Sequence, residues 1–213
     1  MNIIDLTHEI HKGMMTYPGD PQISLEEAMV HETDYCHVDY LRCGSHAGTH
    51  IDAPYHFLPE GKRITDFPIS RFIGEGIVWD LRDKKPKEAI TEEDVMVLRE
   101  KVKVGDFLLL QTGWCEKYDS DEYLDHPFIT GEAAQLLVDM GVRIVAVDFL
   151  NVDPTRWEQW DAHPVLLGNE VLIVENVANS LTLDAEKRYA FGFMPLKLMG
   201  SDGAPIRAFA VEL

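Results

Sequence analysis

Short apolar runs alternate with helical patterns through the middle of the chain, and this alternation constrains the fold more than any other feature. Each run is four to six residues long, which suits a strand buried on both faces. Helical patterns lie between the runs, at residues 91–102 and 130–140. The runs predicted as strands are residues 76–81, 107–110, 142–147 and 171–174. Strands that alternate with helices favour a parallel arrangement joined by crossover helices.

The two predicted helices carry terminal signals. Thr91 stands at an N-cap position, and Asp94 follows three residues later, as in a capping box. Gly141 follows the second helix, where glycine commonly ends a helix. These signals support both segments as helical connections between strands.

The two ends of the chain show a different pattern. The first 60 residues are rich in turn residues and contain no convincing helix, while residues 23–30 and 37–43 resemble antiparallel strands. Residues 191–198 and 205–211 are also strand-like. We therefore predict one α/β domain over residues 1–213, with a mixed central sheet, crossover helices and a β-rich N-terminal part.

The charge balance excludes several classes of partner. With 37 acidic and 19 basic residues, the chain has a formal net charge of −18. Such a chain repels phosphate backbones and anionic bilayers, so we predict no nucleic-acid or membrane partner. The three cysteines form no CxxC pair, which is typical of a reducing compartment. Together with the lack of a secretory pattern, this predicts a cytoplasmic protein.

Residues 46–56 contain three histidines and one aspartate. On a strand, His46, His50 and Asp52 would share one face, because side chains alternate. Full extension at ~3.3 Å per residue would separate His46 from Asp52 by about 20 Å, too far for one metal ion. The segment must therefore bend, and Gly48 is the natural position for the bend. Two imidazoles and a carboxylate brought together would suit zinc, manganese or iron.

Two residues elsewhere in the chain are candidates to complete a metal site. Glu175 directly follows the apolar run 171–174, at the strand end where open α/β sheets place their chemistry. A solvent-facing glutamate is the alternative. His163 precedes a proline that restrains the local backbone. Taken alone, His163 is better explained by a structural role.

Residues 46–56 read His-Ala-Gly-Thr-His-Ile-Asp-Ala-Pro-Tyr-His and resemble the HxGTHxDxPxH signature of the metal-dependent cyclase family. That family includes bacterial kynurenine formamidase and the isatin hydrolases. Weaker similarities follow the expected order and extend the resemblance over nearly the whole chain. They lie at residues 17–21, 161–163, 175–176, 195–197 and 203–207. The resemblance implies the swivelling β/β/α fold of the cyclases.

The resemblance also implies a set of ligands for two metal ions. His46, His50 and Asp52 would hold the first ion. Asp52 would bridge to a second ion that His163 also binds, and Glu175 would bridge both. The formamidases are the two-zinc version and the isatin hydrolases resemble a one-manganese version. We predict two zinc ions per subunit, with manganese as the alternative.

His56 is the catalytic acid/base that the resemblance implies. Its ordinary pKa of ~6.5 suits proton exchange near neutral pH. A divalent cation lowers the pKa of bound water to ~7, so hydroxide would attack the amide while His56 protonates the leaving nitrogen. No serine or cysteine nucleophile is required, and Thr49 is expected to form only local hydrogen bonds.

Aromatic residues are the candidates for a substrate pocket. Tyr17 lies where kynurenine formamidases tend to carry a tryptophan that touches the substrate, and its ring could still stack on an aryl group. Phe57 is a second candidate, although simple packing is favoured for it. Trp157 and Trp160 could line the site or lie at a subunit contact.

The resemblance implies a metal-dependent amide hydrolase, most similar to an arylformamidase that releases formate from N-formylkynurenine. The main alternative is hydrolysis of a cyclic amide, such as isatin or another lactam or imide, with one manganese. A more distant one is a non-haem iron oxygenase that uses His50, Asp52 and His163. The last alternative is a non-catalytic metal-binding protein, in which His56 would be dispensable. The resemblance further implies a homodimer or homotetramer.

Overall fold

A computed structural model describes residues 2–155 and 160–213 as one α/β domain. The strands are β1 (Ile3–Asp5), β2 (Ser24–Met29), β3 (Val38–Arg42), β4 (His50–Asp52), β5 (Ile73–Asp80), β6 (Ala89–Ile90), β7 (Phe107–Gln111), β8 (Phe128–Ile129), β9 (Ile144–Val147), β10 (Leu172–Glu175), β11 (Arg188–Pro195) and β12 (Gly203–Glu212). The α-helices are α1 (His31–Asp34), α2 (Glu92–Met96), α3 (Gly131–Asp139) and α4 (Ala162–Gly168). Short 3-10 turns lie at Pro54–His56, Ile64–Asp66, Ile69–Phe72, Trp114–Lys117, Asp121–Asp125 and Ser180–Thr182.

The central sheet is mixed, as predicted, and it closes on itself. Its strand order is β1-β12-β11-β5-β7-β9-β10-β4. β5, β7, β9 and β10 are parallel neighbours, whereas β11, β12, β1 and β4 pair antiparallel. β4 pairs with β10 on one side and with the start of β12 on the other, which closes a barrel. The apolar runs did not predict this closure.

The parallel strands are apolar throughout because both of their faces are covered. Phe107 and Leu109 of β7 belong to the apolar cluster inside the barrel, together with residues of β11 and β12. Leu108 and Leu110 belong to the outer cluster, together with residues of the helices. Burial on both faces removes the polar alternation that a half-exposed strand would show.

The helix predicted over residues 91–102 is wrong in length. Its start is confirmed, because Thr91 and Asp94 form the predicted capping box. The α-helix nevertheless ends at Met96. The next backbone bonds, from the N–H groups of Leu98, Arg99 and Lys101, each span three residues and form tighter turns.

The second helix and the terminal strands follow the prediction more closely. α3 begins after Thr130, whose hydroxyl accepts from Ala133 N at 3.2 Å. Gly141 follows it with a φ of +78°, the left-handed conformation in which glycine is favoured. β11 begins at Arg188, three residues before the predicted start at residue 191.

The predicted antiparallel strands of the N-terminal part form a separate hairpin, β2–β3. The connection between them contains α1, a single helical turn that the sequence did not predict. All residues from 31 to 42 are exposed. Among the described residues, no helix has the length and apolarity needed to cross a bilayer.

Candidate metal centre

β4 and β10 place three acidic or imidazole side chains on the outer surface of the barrel. His50 lies opposite Glu175, and Asp52 lies opposite Ile173 in the antiparallel register. Ile51, between the two β4 side chains, is part of the interior cluster. The period of two therefore places His50 and Asp52 on one face, as predicted, and that face is the outer one.

His46 reaches the same place from a turn and not from the strand itself, because β4 begins only at His50. The chain bends at Gly48, which has a φ of +60°, as the sequence predicted. The bend brings His46 Nδ1 to 2.7 Å from Asp52 Oδ1. The Gly48 carbonyl accepts from His50 Nδ1 at 2.8 Å, so the other ring nitrogen, Nε2, faces the cluster.

His163 approaches the cluster from the first turn of α4. Its Nε2 lies 3.3 Å from Glu175 Oε1 and 3.7 Å from Asp52 Oδ2. Its Nδ1 donates to Asp153 at 2.6 Å. Asp153 also accepts from the backbone N–H groups of residues 161, 162 and 163 at 2.8–3.0 Å. One carboxylate thus caps the helix and orients the imidazole.

The cluster contains polar atoms that are buried and unpaired. His50 Nε2 and Asp52 Oδ2 have no hydrogen-bond partner among the described residues. His50 Nε2 lies 3.4 Å from Asp52 Oδ1 and 3.3 Å from Glu175 Oε2. Ligand atoms of His50, Asp52 and Glu175 all lie within 4.8 Å of one another. Unpaired buried groups are costly, and an imidazole with two carboxylates fits a divalent cation.

The electrostatics of the cluster also favour positive charge. Burial lowers the pKa of His46, but the charge of Asp52 and hydrogen bonds to Asp202 and Asp52 outweigh it and raise this pKa to about 10. Burial raises the pKa of Asp52, yet His46 and His163 hold it well below its usual range. Burial and the charge of Asp52 raise the pKa of Glu175, but the neighbouring imidazoles of His163 and His50 outweigh them and lower it.

His56 lies at the rim of the cluster, on the turn Pro54–His56. Its ring centroid is 3.9 Å from that of His46. Its Nδ1 lies 3.3 Å from Asp202 Oδ2, and His46 Nε2 lies 3.0 Å from the same oxygen. These two hydrogen bonds hold the pKa of Asp202 well below its usual range.

A pocket of about 270 Å³ opens above the cluster. Its wall includes Tyr17, Phe57 and Trp160 together with five further predicted site residues: His46, His50, His56, His163 and Glu175. Phe57 stacks on His163 at 4.6 Å between ring centroids, so it lines the pocket as well as packing. Trp157 lies outside the described residues.

Three polar residues near the site were missed by the sequence reasoning. Asp153 and Asp202 are described above. Asn176 has a left-handed φ of +56°, and its side chain donates to the Gly48 carbonyl at 3.1 Å. Thr49 behaves as predicted, because its hydroxyl donates to the backbone carbonyl of Asn176 at 2.6 Å. The only available signal was position, since Asn176 follows Glu175 and Asp202 precedes a Gly-Ala-Pro run.

Comparisons with known proteins found relatives of this sequence. The Cyclase family model, described as "Putative cyclase", matches residues 4–154. The chain is 32% identical to a kynurenine formamidase of Bacillus cereus (strain ATCC 10987 / NRS 248) over 212 residues, covering 96% of this chain and 95% of that enzyme.

Two solved structures are similar to the whole fold. One is described as a "predicted metal-dependent hydrolase from Bacillus stearothermophilus", with a TM-score of 0.81 at 29% identity, covering 98% of this chain and 97% of that one. The other is an isatin hydrolase bound to the product analogue thioisatinate. It has a TM-score of 0.90 at 19% identity and covers 99% of this chain and 92% of that one, a similarity of fold.

Proposed function

This chain belongs to the cyclase family, and from that premise we propose that it is a metal-dependent amide hydrolase of the arylformamidase type. It hydrolyses N-formylkynurenine to kynurenine and formate. The observation that carries the proposal is the buried cluster of unpaired ligand atoms beneath an aromatic pocket. The similarity to kynurenine formamidase over 96% of the chain supports the choice of substrate.

His46, His50 and Asp52 would hold one metal ion, and His163 and Glu175 would hold a second one with Asp52. Nitrogen and oxygen ligands of this kind suit zinc, with manganese as the alternative. A divalent cation in the cluster would polarise the amide carbonyl and lower the pKa of water. The hydrogen bonds from His50 to Gly48 and from His163 to Asp153 fix which ring nitrogen each histidine offers.

His56 is the proposed proton carrier. It lines the pocket beside His46, and a positioned imidazole can take a proton from the attacking water and return it to the leaving nitrogen. Tyr17, Phe57 and Trp160 would orient the aryl part of the substrate by stacking. Holding the carbonyl in a fixed pose contributes to the rate by removing the entropy cost of alignment.

Hydrolysis of a cyclic amide with one metal ion is the second candidate. The observation that favours it is the position of His163. The two compact ligand triplets among the described residues are His46–Asp52–His56 and His50–Asp52–Glu175, and neither includes His163. The iron-oxygenase hypothesis, which needs His163 as a ligand beside His50 and Asp52, is not favoured by that placement.

A substrate panel on metal-reconstituted protein tests the proposal. The protein is stripped with a chelator, reloaded with zinc or manganese, and assayed for formate release from N-formylkynurenine and for ring opening of isatin. We expect formate release to dominate, and Glu175→Gln to abolish it while the exposed Glu186→Gln does not. Ring opening of isatin without formate release would show that the protein hydrolyses cyclic amides and not N-formylkynurenine. Oxygen consumption would point to an oxygenase.

We further propose that the chain works as a homodimer or homotetramer in which a second copy covers the β2–β3 hairpin. Tyr35 is 94% exposed and Tyr40 is 66% exposed there. A two-stranded hairpin with no core behind it is marginally stable in water. Exposed aromatic residues of this kind are typical of interfaces between subunits.

A further inference from the structure

We propose that Asp202 is a positioning residue that fixes the orientation and tautomer of His56. The proposal deepens the proposed hydrolase function and rests on it for the catalytic consequence. One carboxylate oxygen, Asp202 Oδ2, lies 3.3 Å from His56 Nδ1 and 3.0 Å from His46 Nε2. The same oxygen therefore ties the proposed proton carrier to a proposed metal ligand.

The backbone around Asp202 is anchored at several points, which gives its carboxylate a defined place. Its carbonyl accepts from Ala53 N at 2.8 Å, and the carbonyl of Ser201 accepts from Ile64 N at 3.1 Å. The next residue, Gly203, pairs with Asp52 in the barrel. The start of β12 is thus bonded directly to the segment that carries the site.

Gly203 allows this close approach. A Cβ at position 203 would lie 2.8 Å from His46 Cε1 and 2.9 Å from the Ile51 carbonyl oxygen. A side chain at this position would push the strand away from the imidazole. The absence of a side chain brings β12, and with it the Asp202 carboxylate, to hydrogen-bond distance of the two rings.

The chemical consequence concerns the two nitrogens of His56. In a neutral imidazole one nitrogen donates and the other accepts. A hydrogen bond from Nδ1 to Asp202 keeps the proton on Nδ1, which leaves Nε2 as the basic nitrogen. A carboxylate that holds an imidazole in one tautomer plays the same part in the serine-protease triad.

The first measurement needs no variant and no substrate. Nitrogen-15 NMR of histidine-labelled protein, in metal-free and zinc-loaded forms, reports which nitrogen of each neutral ring carries the proton, and His56→Asn assigns the signal. We expect His56 to be protonated on Nδ1 in both forms. Protonation on Nε2 would overturn the proposal, whatever the enzyme turns out to hydrolyse.

The second measurement uses Asp202→Asn, which keeps the shape and removes the charge. We expect kcat to fall about 10–100-fold, the range for residues that orient catalytic groups, with bound metal at the wild-type level and KM within about threefold. The nitrogen-15 signals of His56 should then report a mixture of the two tautomers. Asp5→Asn is the control. It removes a carboxylate that pairs with Arg207 of β12, the strand that follows Asp202, and should leave kcat and the His56 signal unchanged.

Each contrary outcome of the second measurement counts against the proposal. An unchanged kcat, or an unchanged His56 signal, would show that Asp202 does not position this ring. Loss of metal from Asp202→Asn would make Asp202 a part of the metal site instead. If the unaltered enzyme released no formate and opened no cyclic amide, the proposed function would fail while the NMR result still decided the role of Asp202.

Discussion

The β4–β10 pairing in the barrel wall and the hairpin β2–β3 are both short antiparallel pairings, yet their surroundings differ completely. Every residue of β4 and β10 is buried, whereas every residue of β3 is exposed. β4 is bonded on both sides, to β10 and to β12. The hairpin forms a separate two-stranded sheet. A three-residue strand can therefore hold a precise site when the sheet continues on both sides of it.

The two regions also contain the same residue types in different environments. Histidine and aspartate side chains converge in a buried cluster where β4 pairs with β10. In the hairpin, His37 and Asp39 lie 3.1 Å apart as an exposed pair, which water and salt screen. The hairpin therefore supplies control substitutions of the same residue types, each checked by sedimentation because this hairpin is the proposed subunit contact.

The largest expected effect is that of Asp52→Ala. This change removes the carboxylate shared by His46, His50 and His163. We expect metal content to fall and the rate to drop on the order of a thousandfold or more, because a catalytic cation supplies several kcal/mol. Metal analysis and steady-state kinetics measure both. Asp39→Ala in the hairpin is the control, and full metal occupancy in Asp52→Ala would contradict the assignment.

The next effect concerns proton transfer by His56. His56→Asn should lower kcat by roughly 10²–10⁴-fold while metal content stays full. The exposed His37→Asn should leave kcat within about twofold, since the contacts of its ring are with His31 and Asp39 and not with the cluster. Retention of full activity by His56→Asn would make His56 structural. Loss of metal would make it a ligand.

A smaller effect is expected when charge is placed on the hairpin. Tyr40→Asp combined with Leu41→Asp should weaken self-association at least ~30-fold, which corresponds to the loss of one aromatic hot spot at an interface. Sedimentation velocity across a concentration series measures it. Met199 is 95% exposed outside the hairpin, so Met199→Asp is the control. A wild-type protein that sediments as a monomer would refute the assembly proposal.

The smallest effect is a pH dependence of stability in the metal-free protein. The pKa of His46 is about 10 when folded and ~6.5 when unfolded. The folded state therefore holds a proton that the unfolded chain releases, so this stabilisation is complete below pH ~6.5 and is lost as pH rises towards 10. Melting temperature should fall by a few degrees over that window. His46→Gln should flatten the slope, and an equal slope in that variant would contradict the explanation.

The sequence was sufficient for the features that local pattern controls. The parallel strands could be predicted because residues buried on both faces are continuously apolar, and the bend at Gly48 followed from the distance that His46 had to cover. The helix over 91–102 was predicted too long. Hydrophobic spacing did not reveal that the backbone tightens into three-residue turns after Met96.

The features that could not be predicted from the sequence depend on pairing between distant segments. Asp202 is close to His56 only because Gly203 pairs with Asp52, and nothing local to residue 202 specifies that register. Asp153 orients His163 from outside α4, ten residues before it in the chain. Polar residues that support a site in this way have no periodicity of their own, so they emerge only with the tertiary structure.

Closure of the barrel through β4 and β12 has a consequence for the order of events during folding. Residues 203–205 pair with residues 50–52, a separation of about 150 positions along the chain. Contacts this distant form late, because the chain entropy lost in closing such a loop must be offset by other structure. During synthesis, the segment 46–56 leaves the ribosome long before its partner strand exists. We therefore expect the pocket to assemble only after residue 205 has emerged.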